Sequence, residues 1–229
     1  QQYRLYEEFA QFLHTKIALA PISVKTTCLL RAGHWYSKHN NAYRALCCFY
    51  PIRAWEQILS LDLLSCLSAE TSGRLPNIFD DIVQNCPISL SRRNPIAFMQ
   101  IAYMQFAFGR RQTAQILLRQ IQHNITSQDY SEEYRQMLHG ELLLIQSLVC
   151  MPNLTQMLST IREAKALIIG RSQVLRQTHP ILFGIYTPFA VLHQHVGSAA
   201  QECGQFCEFV SIYTSLTGAG QGADLLFCA

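Results

Sequence analysis

Cys203 and Cys207 stand four residues apart, one helical turn, with His193 and His195 just upstream. Two thiolates and two imidazoles would suit a tetrahedral zinc ion. Phe206, Phe209 and Val210 run through the same stretch, so it reads as an apolar core stripe and no metal is expected. Asp80-Asp81 and Glu132-Glu133 offer carboxylates for acid–base work, but adjacent residues point to different sides of a helix. Neither pair makes a joint site alone. Gly218-Ala219-Gly220-Gln221-Gly222 is glycine-rich, yet a dinucleotide loop needs strand, turn and helix in that order and no strand precedes it. It reads as a linker between helices. The chain carries no GxxxxGK[ST], HExxH or GxSxG, the patterns of a phosphate loop, a zinc protease and a nucleophile elbow. No catalytic residue is assigned, no cofactor is expected, and the chain reads as a non-enzyme.

Other residues suit binding. Arg92, Arg93, Arg110 and Arg111 fall in loops near one helical hairpin, and 14 of the 18 basic residues are arginine, which favours bidentate contacts. Acidic residues are interspersed elsewhere and the net charge is only +3, so direct nucleic-acid contact is not expected. Gln100 and Tyr103 share one helical stripe with Ala107, partly opposite Ile101, Met104 and Phe108; Tyr186 and His193, seven apart, share a face further on. Aromatic rings with hydrogen-bonding tips beside glutamine amides suit a neutral polar ligand such as a sugar or a peptide. Gln100, Tyr103, Tyr186 and His193 are therefore the candidate ligand residues. The competing reading is that these tips only reach water at the rim of the core. His34 and His39 flank Trp35-Tyr36 at a helix end, where capping or packing is the default.

Helices must position all of this. Leu5, Phe9, Phe12 and Leu13 fall on one helical face that Pro21 ends. Cys28, Leu29, Ala32, Trp35 and Tyr36 make a second face, closed by the polar turn Ser37 to Asn41. A third runs from Ala42 through Phe49, with Pro51 stopping it or opening the next helix at Trp55, Ile58, Leu59, Leu63 and Leu64. Ser72 to Pro76 is a break before a short segment through Ile78 and Val83, and Asn85-Cys86-Pro87 and Arg93-Asn94-Pro95 bracket a loop. Three helical hairpins follow. The first is Ile96 to Phe108 and Thr113 to Ile121. The second is Tyr134 to Cys150 and Leu154 to Ile169. The third is Ile181 to His195 and Gln201 to Leu216. Their turns at Gly109, Pro152 and Gly197 are 43 and 45 residues apart, a period that belongs to helix-pair solenoids. In such stacks the first helices line a concave binding surface. The expected fold is all-α: a TPR-like superhelix over residues 66–229, preceded by a small helical arm over residues 1–65.

Composition agrees with a folded chain of one ordinary domain or two small ones. Of 229 residues, 49% are hydrophobic and 14% charged, which excludes a disordered chain or a charge-rich coiled coil. No uninterrupted run of 18 apolar residues is present, so no membrane span is expected. Nine scattered cysteines, an odd number without a CxxC pair, read as reduced, buried small hydrophobes in a cytoplasmic protein. The chain opens Gln-Gln-Tyr without a signal-peptide pattern and stops after Phe227-Cys228-Ala229; it reads as excised from something longer.

Tyr3 to Leu13 resembles the Y-R-x-H-x-x-x-x-x-F-L segment that follows the nucleotide-binding module in MalT-like, LuxR-type (STAND-class) bacterial transcriptional activators. Leu30-Arg31-Ala32-Gly33-His34-Trp35-Tyr36, with Ala42 and Ala45-Leu46, is similar to their R-A-x-x-W-Y…A-x-x-A-(I/L) pair. Gly140-Glu141-Leu142, taken to open a helix, and Leu216 to Asp224 resemble their repeat-region motifs. Tyr6 stands where the family usually has histidine, and residues 66–95 have no counterpart. The resemblance implies the end of a winged-helix arm plus a helical-repeat sensor. The sensor would bind a small-molecule inducer or a regulatory protein and control self-association. ATP and DNA would be handled only by an NTPase and a helix-turn-helix outside this stretch. The alternative is a free-standing TPR-type scaffold that binds peptides.

Overall fold

Pro21 cannot donate a backbone hydrogen bond, and a helix starts directly after it: α1, Ile22–Lys38. Asn40 takes the left-handed conformation, φ +55°, and turns the chain. The Asn41 side chain then accepts from the Arg44 N–H at 3.1 Å, capping α2, Ala42–Phe49. Pro51 sits in a 3₁₀ turn, Tyr50–Ile52, ahead of the short α3, Trp55–Leu59. α1 packs on α2 through Gly33, where a Cβ would lie 2.3 Å from Cε1 of the buried Phe49. The His34 ring meets Phe49 edge-on with centroids 5.3 Å apart, and Trp35 stacks on His39 at 4.0 Å.

This computed structural model describes residues 11–12, 15–17, 19–69, 73–176, 191–193 and 197–222. The chain divides into two units, Gln1–Leu61 and Asp62–Ala229; the sequence reading set the division after residue 65. The second unit holds a 3₁₀ helix, Leu63–Ala69, then α4, Leu75–Asn85, α5, Ile88–Arg93, and α6, Pro95–Ala107. α7, Arg111–Ser127, α8, Glu132–Val149, α9, Leu154–Leu167, and α10, Ala199–Thr217, follow. The chain is all-α, with no strand among the described residues. Nor, among them, is any helix long and apolar enough to cross a membrane.

Local chemistry sets the boundaries. α6 ends where Gly109 turns left-handed at φ +78° and the Arg110 N–H reaches back to the Gln105 carbonyl at 2.8 Å, a helix-ending pattern that favours glycine. Ser131 caps α8 through the Tyr134 N–H at 3.3 Å, and Asn153 caps α9 through the Gln156 N–H at 3.0 Å. Gly140-Glu141-Leu142, expected to open a helix, therefore lies in the middle of α8. α7 runs to Ser127 rather than Ile121, because Ile125 extends the apolar face of Leu117, Leu118 and Ile121.

Turns of three and four residues make α6–α7 and α8–α9 antiparallel hairpins. α7 also packs on α8, α6 on α8, and α9 on α10. The first helix of the third expected hairpin falls on residues 181–195, outside the described residues apart from 191–193. α6 is apolar all round and buries Pro95 and every side chain from Ala97 to Gln105, as a core helix does. The 3₁₀ helix, α4, α5, α7 and α8 all pack on it. Residues 66–95, which had no counterpart in the resemblance, supply part of that cover, beside α7 and α8.

Candidate functional site

Gln100 and Tyr103 belong to this buried helix and do not form a groove stripe. The Gln100 Oε1 accepts from the Leu63 N–H at 3.2 Å, tying the 3₁₀ helix to α6. Tyr103 is only 2% exposed, and burial pushes its phenol up to about 12. Tyr103→Ala would therefore open the core. His193 is half-buried, with its Nδ1 2.5 Å from Oε2 of Glu202, whose Oε1 accepts from the Ser198 hydroxyl at 2.8 Å. Tyr186 and His195 lie outside the described residues. Cys203 is disulfide-bonded, which corrects the expectation of nine reduced cysteines and removes it from the conceivable zinc set. Cys28, Cys47, Cys48, Cys66, Cys86, Cys150 and Cys207 are not in disulfides, and no group of three metal-binding side chains occurs among the described residues.

The acid pairs separate as expected. Asp80 Oδ1 accepts from Gln105 Nε2 at 2.7 Å, and its Oδ2 pairs with the Arg110 guanidinium, whose other nitrogen reaches Asn77 Oδ1 at 3.0 Å. Asp81 instead accepts from Asn85 at 2.7 Å. Glu132 binds Arg135 at 2.7 Å and Gln136 at 3.1 Å, while Glu133 is exposed. Arg110, read as loop charge, thus locks the α6–α7 turn onto α4.

Glu141 was singled out only as part of a motif. It is fully buried and accepts from the Ser172 hydroxyl and the Gln173 N–H, both at 2.5 Å, and from the Val174 N–H at 3.4 Å. Ser172 in turn accepts from the Leu175 N–H at 2.9 Å, and its own N–H reaches the Leu216 carbonyl at the end of α10 at 2.8 Å. Burial raises the carboxyl above its ordinary range, opposed by these hydrogen bonds and by the Arg176 charge. Gly140 beside it lets the end of α9 close in: a Cβ there would sit 2.9 Å from Ile168 Cγ1 and 3.0 Å from Leu167 Cβ. The pair is a clamp for the segment after α9.

Two clefts flank α7. One, of about 330 Å³, has Val83, Pro95, Phe98, Leu117, Ile121 and Ile125 as its apolar lining, with Gln84, Ser91, Arg92, Gln120, Asn124 and Tyr130 as its polar groups. The Tyr130 hydroxyl donates to the Arg92 carbonyl, tying the α7–α8 connection to α5. Cys86 also lines it, and burial raises its thiol.

The second cleft, of about 290 Å³, lies between α7, α8 and α9. Arg111, Gln115 and Arg119 enter it from α7, Gln146 and Cys150 from α8 and its end, and Gln156 and Thr160 from α9. Burial raises the Cys150 thiol, while the Arg111 charge and a hydrogen bond with Thr160 pull it back. Both clefts can hold a small molecule by an apolar or amide-lined wall plus a few oriented polar groups.

Of the residues read as binding groups from sequence, Arg92 and Arg111 line these clefts, one in each; Gln100 and Tyr103 line neither. Arg119, Gln115 and Gln146 went unread. The signal for Gln115 and Arg119 was the i, i+4, i+8 row Arg111, Gln115, Arg119 on a helix without a single acidic residue. Compared with protein-family models, curated proteins and solved structures, the chain matches none.

Proposed function

We propose that the chain is a non-catalytic, ligand-binding module of stacked helical hairpins that serves a larger regulator of the LuxR type. The ligand seats beside α7, between hairpins, and not along the first helices. The pair of clefts flanking α7 carries this reading: each is sized for a small molecule, and each mixes apolar floor with amide and guanidinium groups. Ligand binding would act on the regulator by favouring one arrangement of the module over another, through differential affinity alone. Self-association of the module is part of the same reading. Among the described residues seven cysteines form no disulfide, with Cys28 and Cys47 exposed, which supports a reducing compartment such as the cytoplasm, with Cys203 as the exception.

The test is a thermal-shift screen of the purified chain against sugars, amino acids, nucleotides and short peptides. A selective ligand at a hundredfold excess over its Kd adds about 2.7 kcal/mol, which is about 5–11 °C in Tm for a domain of this size. A screen that stays flat across every class would sink the small-ligand reading and leave a protein partner.

A further inference from the structure

We infer that the cleft between α7, α8 and α9 is a site for a small organic anion with two oxyanion groups, phosphate or carboxylate, held by Arg111 and Arg119. This rests on the reading of the chain as a ligand-binding module and names the chemistry of one of its two clefts.

The charge balance points there. Arg111 and Arg119 are exposed, both line the cleft, and neither has an ion pair among the described residues, where Arg110, Arg135 and Arg162 each do. Among the described residues no Asp or Glu lines the cleft, and none occurs on α7. The buried acid of α8, Glu141, is committed to Ser172 and Gln173. Arg111 and Cys150 share the cleft wall, near enough for the guanidinium charge to oppose the rise that burial gives the thiol. The side-chain amides of Gln115, Gln146 and Gln156 take no hydrogen-bond partner among the described residues, and they border the same space.

Geometry selects the ligand. Arg111 and Arg119 are eight residues apart on one face, about 12 Å along the helix axis. Two long side chains can converge from that separation on the two ends of one molecule. A single monoanion would engage one of them. The guanidinium fork fits planar carboxylate and phosphate oxygens bidentately, and the amides between suit hydroxyl or amide groups of the ligand body. A volume near 290 Å³ holds a metabolite-sized molecule at the lower end of ligand pockets.

Inorganic diphosphate and citrate are the probes, titrated into the chain at constant ionic strength, with sodium chloride and a neutral disaccharide as controls. Binding is read twice: by the rise in Tm, and by the rate at which iodoacetamide alkylates Cys150, located by peptide mass mapping. Either anion should raise Tm and slow alkylation of Cys150 at least several-fold while leaving Cys28 and Cys47 unaffected. The tighter of the two identifies phosphate or carboxylate as the ligand group. Arg111→Gln and Arg119→Gln should each weaken binding about tenfold, the loss of one charge-assisted contact. Arg31→Gln, exposed on α1 and in neither cleft, should leave it unchanged. Anions that do no more than sodium chloride, or arginine variants that bind like the parent chain, overturn the assignment. If the disaccharide binds instead, the anion site falls and the ligand-binding module stands; if nothing in this test or the wider screen binds, both fall.

Discussion

Removing the Glu141 carboxylate should unfasten the segment after α9 and lower the stability of the whole second unit. Glu141→Ala leaves the Ser172 hydroxyl and the Gln173 N–H, each bonded at 2.5 Å, facing a gap inside the protein. A buried donor stripped of its acceptor costs about 1–3 kcal/mol; Ser172 is buried and carries that cost, while the part-buried Gln173 N–H adds less, for about 1–4 kcal/mol together. The better helix propensity of alanine returns only a few tenths. Against a typical stability of about 5–15 kcal/mol, that is a large fraction. Urea unfolding followed by circular dichroism measures the loss, and hydrogen exchange at Gln173, Val174 and Leu175 locates it. Glu141→Gln separates charge from shape. The folded-state pKa is raised by burial from 4.5, so the folded state holds its proton more tightly than the unfolded chain. The stability this contributes is fully present below about pH 4.5 and is lost as pH rises through the folded pKa. The glutamine variant, always neutral, should therefore gain on the parent chain as pH climbs from 4 to 7. The argument is refuted if Glu141→Ala costs under about 1 kcal/mol with unchanged exchange at 173–175, or if the variant's relative stability falls with rising pH.

Three further substitutions follow from the packing. Tyr103→Ala, in the interior of α6, should cost about 3–5 kcal/mol in urea unfolding, and near-parental stability would mean that Tyr103 is not a core residue. Gly140→Val places branched carbons where Leu167 and Ile168 already sit, and should cost about 1–3 kcal/mol or more by overpacking; a melting temperature unchanged from the parent would contradict the close approach of α9. Tyr213 is fully buried and its hydroxyl meets no hydrogen-bonding geometry among the described residues; the nearby Thr217 hydroxyl donates to the Tyr213 carbonyl at 2.9 Å. Tyr213→Phe should then be neutral or stabilise by about 1–2 kcal/mol, and a clear loss on unfolding would reveal a hydrogen bond at that oxygen.

The helices of the first two hairpins and the second helix of the third were legible because their signals are local: apolar side chains at 3.6-residue spacing, Gly109 and Pro152 at the turns, Asn153 at a cap. The segment from Leu63 to Arg93 was not, because it is built of one 3₁₀ helix, one three-turn helix and one helix of six residues. Elements so short carry too few periods to announce a face. That gap decided the error about the site. With nothing known to cover α6, its Gln100 and Tyr103 read as a polar stripe on a concave wall. Yet Pro95 to Ala107 contains no charged residue, and a helix with no charge on any side has no face to give to water. The covering segment then explains why its polar atoms are spent inward, Gln100 on Leu63 and Gln105 on Asp80. Once the first helix of a hairpin is sealed on every side, open polar surface can remain only on the second. α7, with two arginines and no acid, keeps such surface toward both of its clefts. The same short elements that hid from the periodic pattern thus move the candidate site from the first helices to α7 and α9.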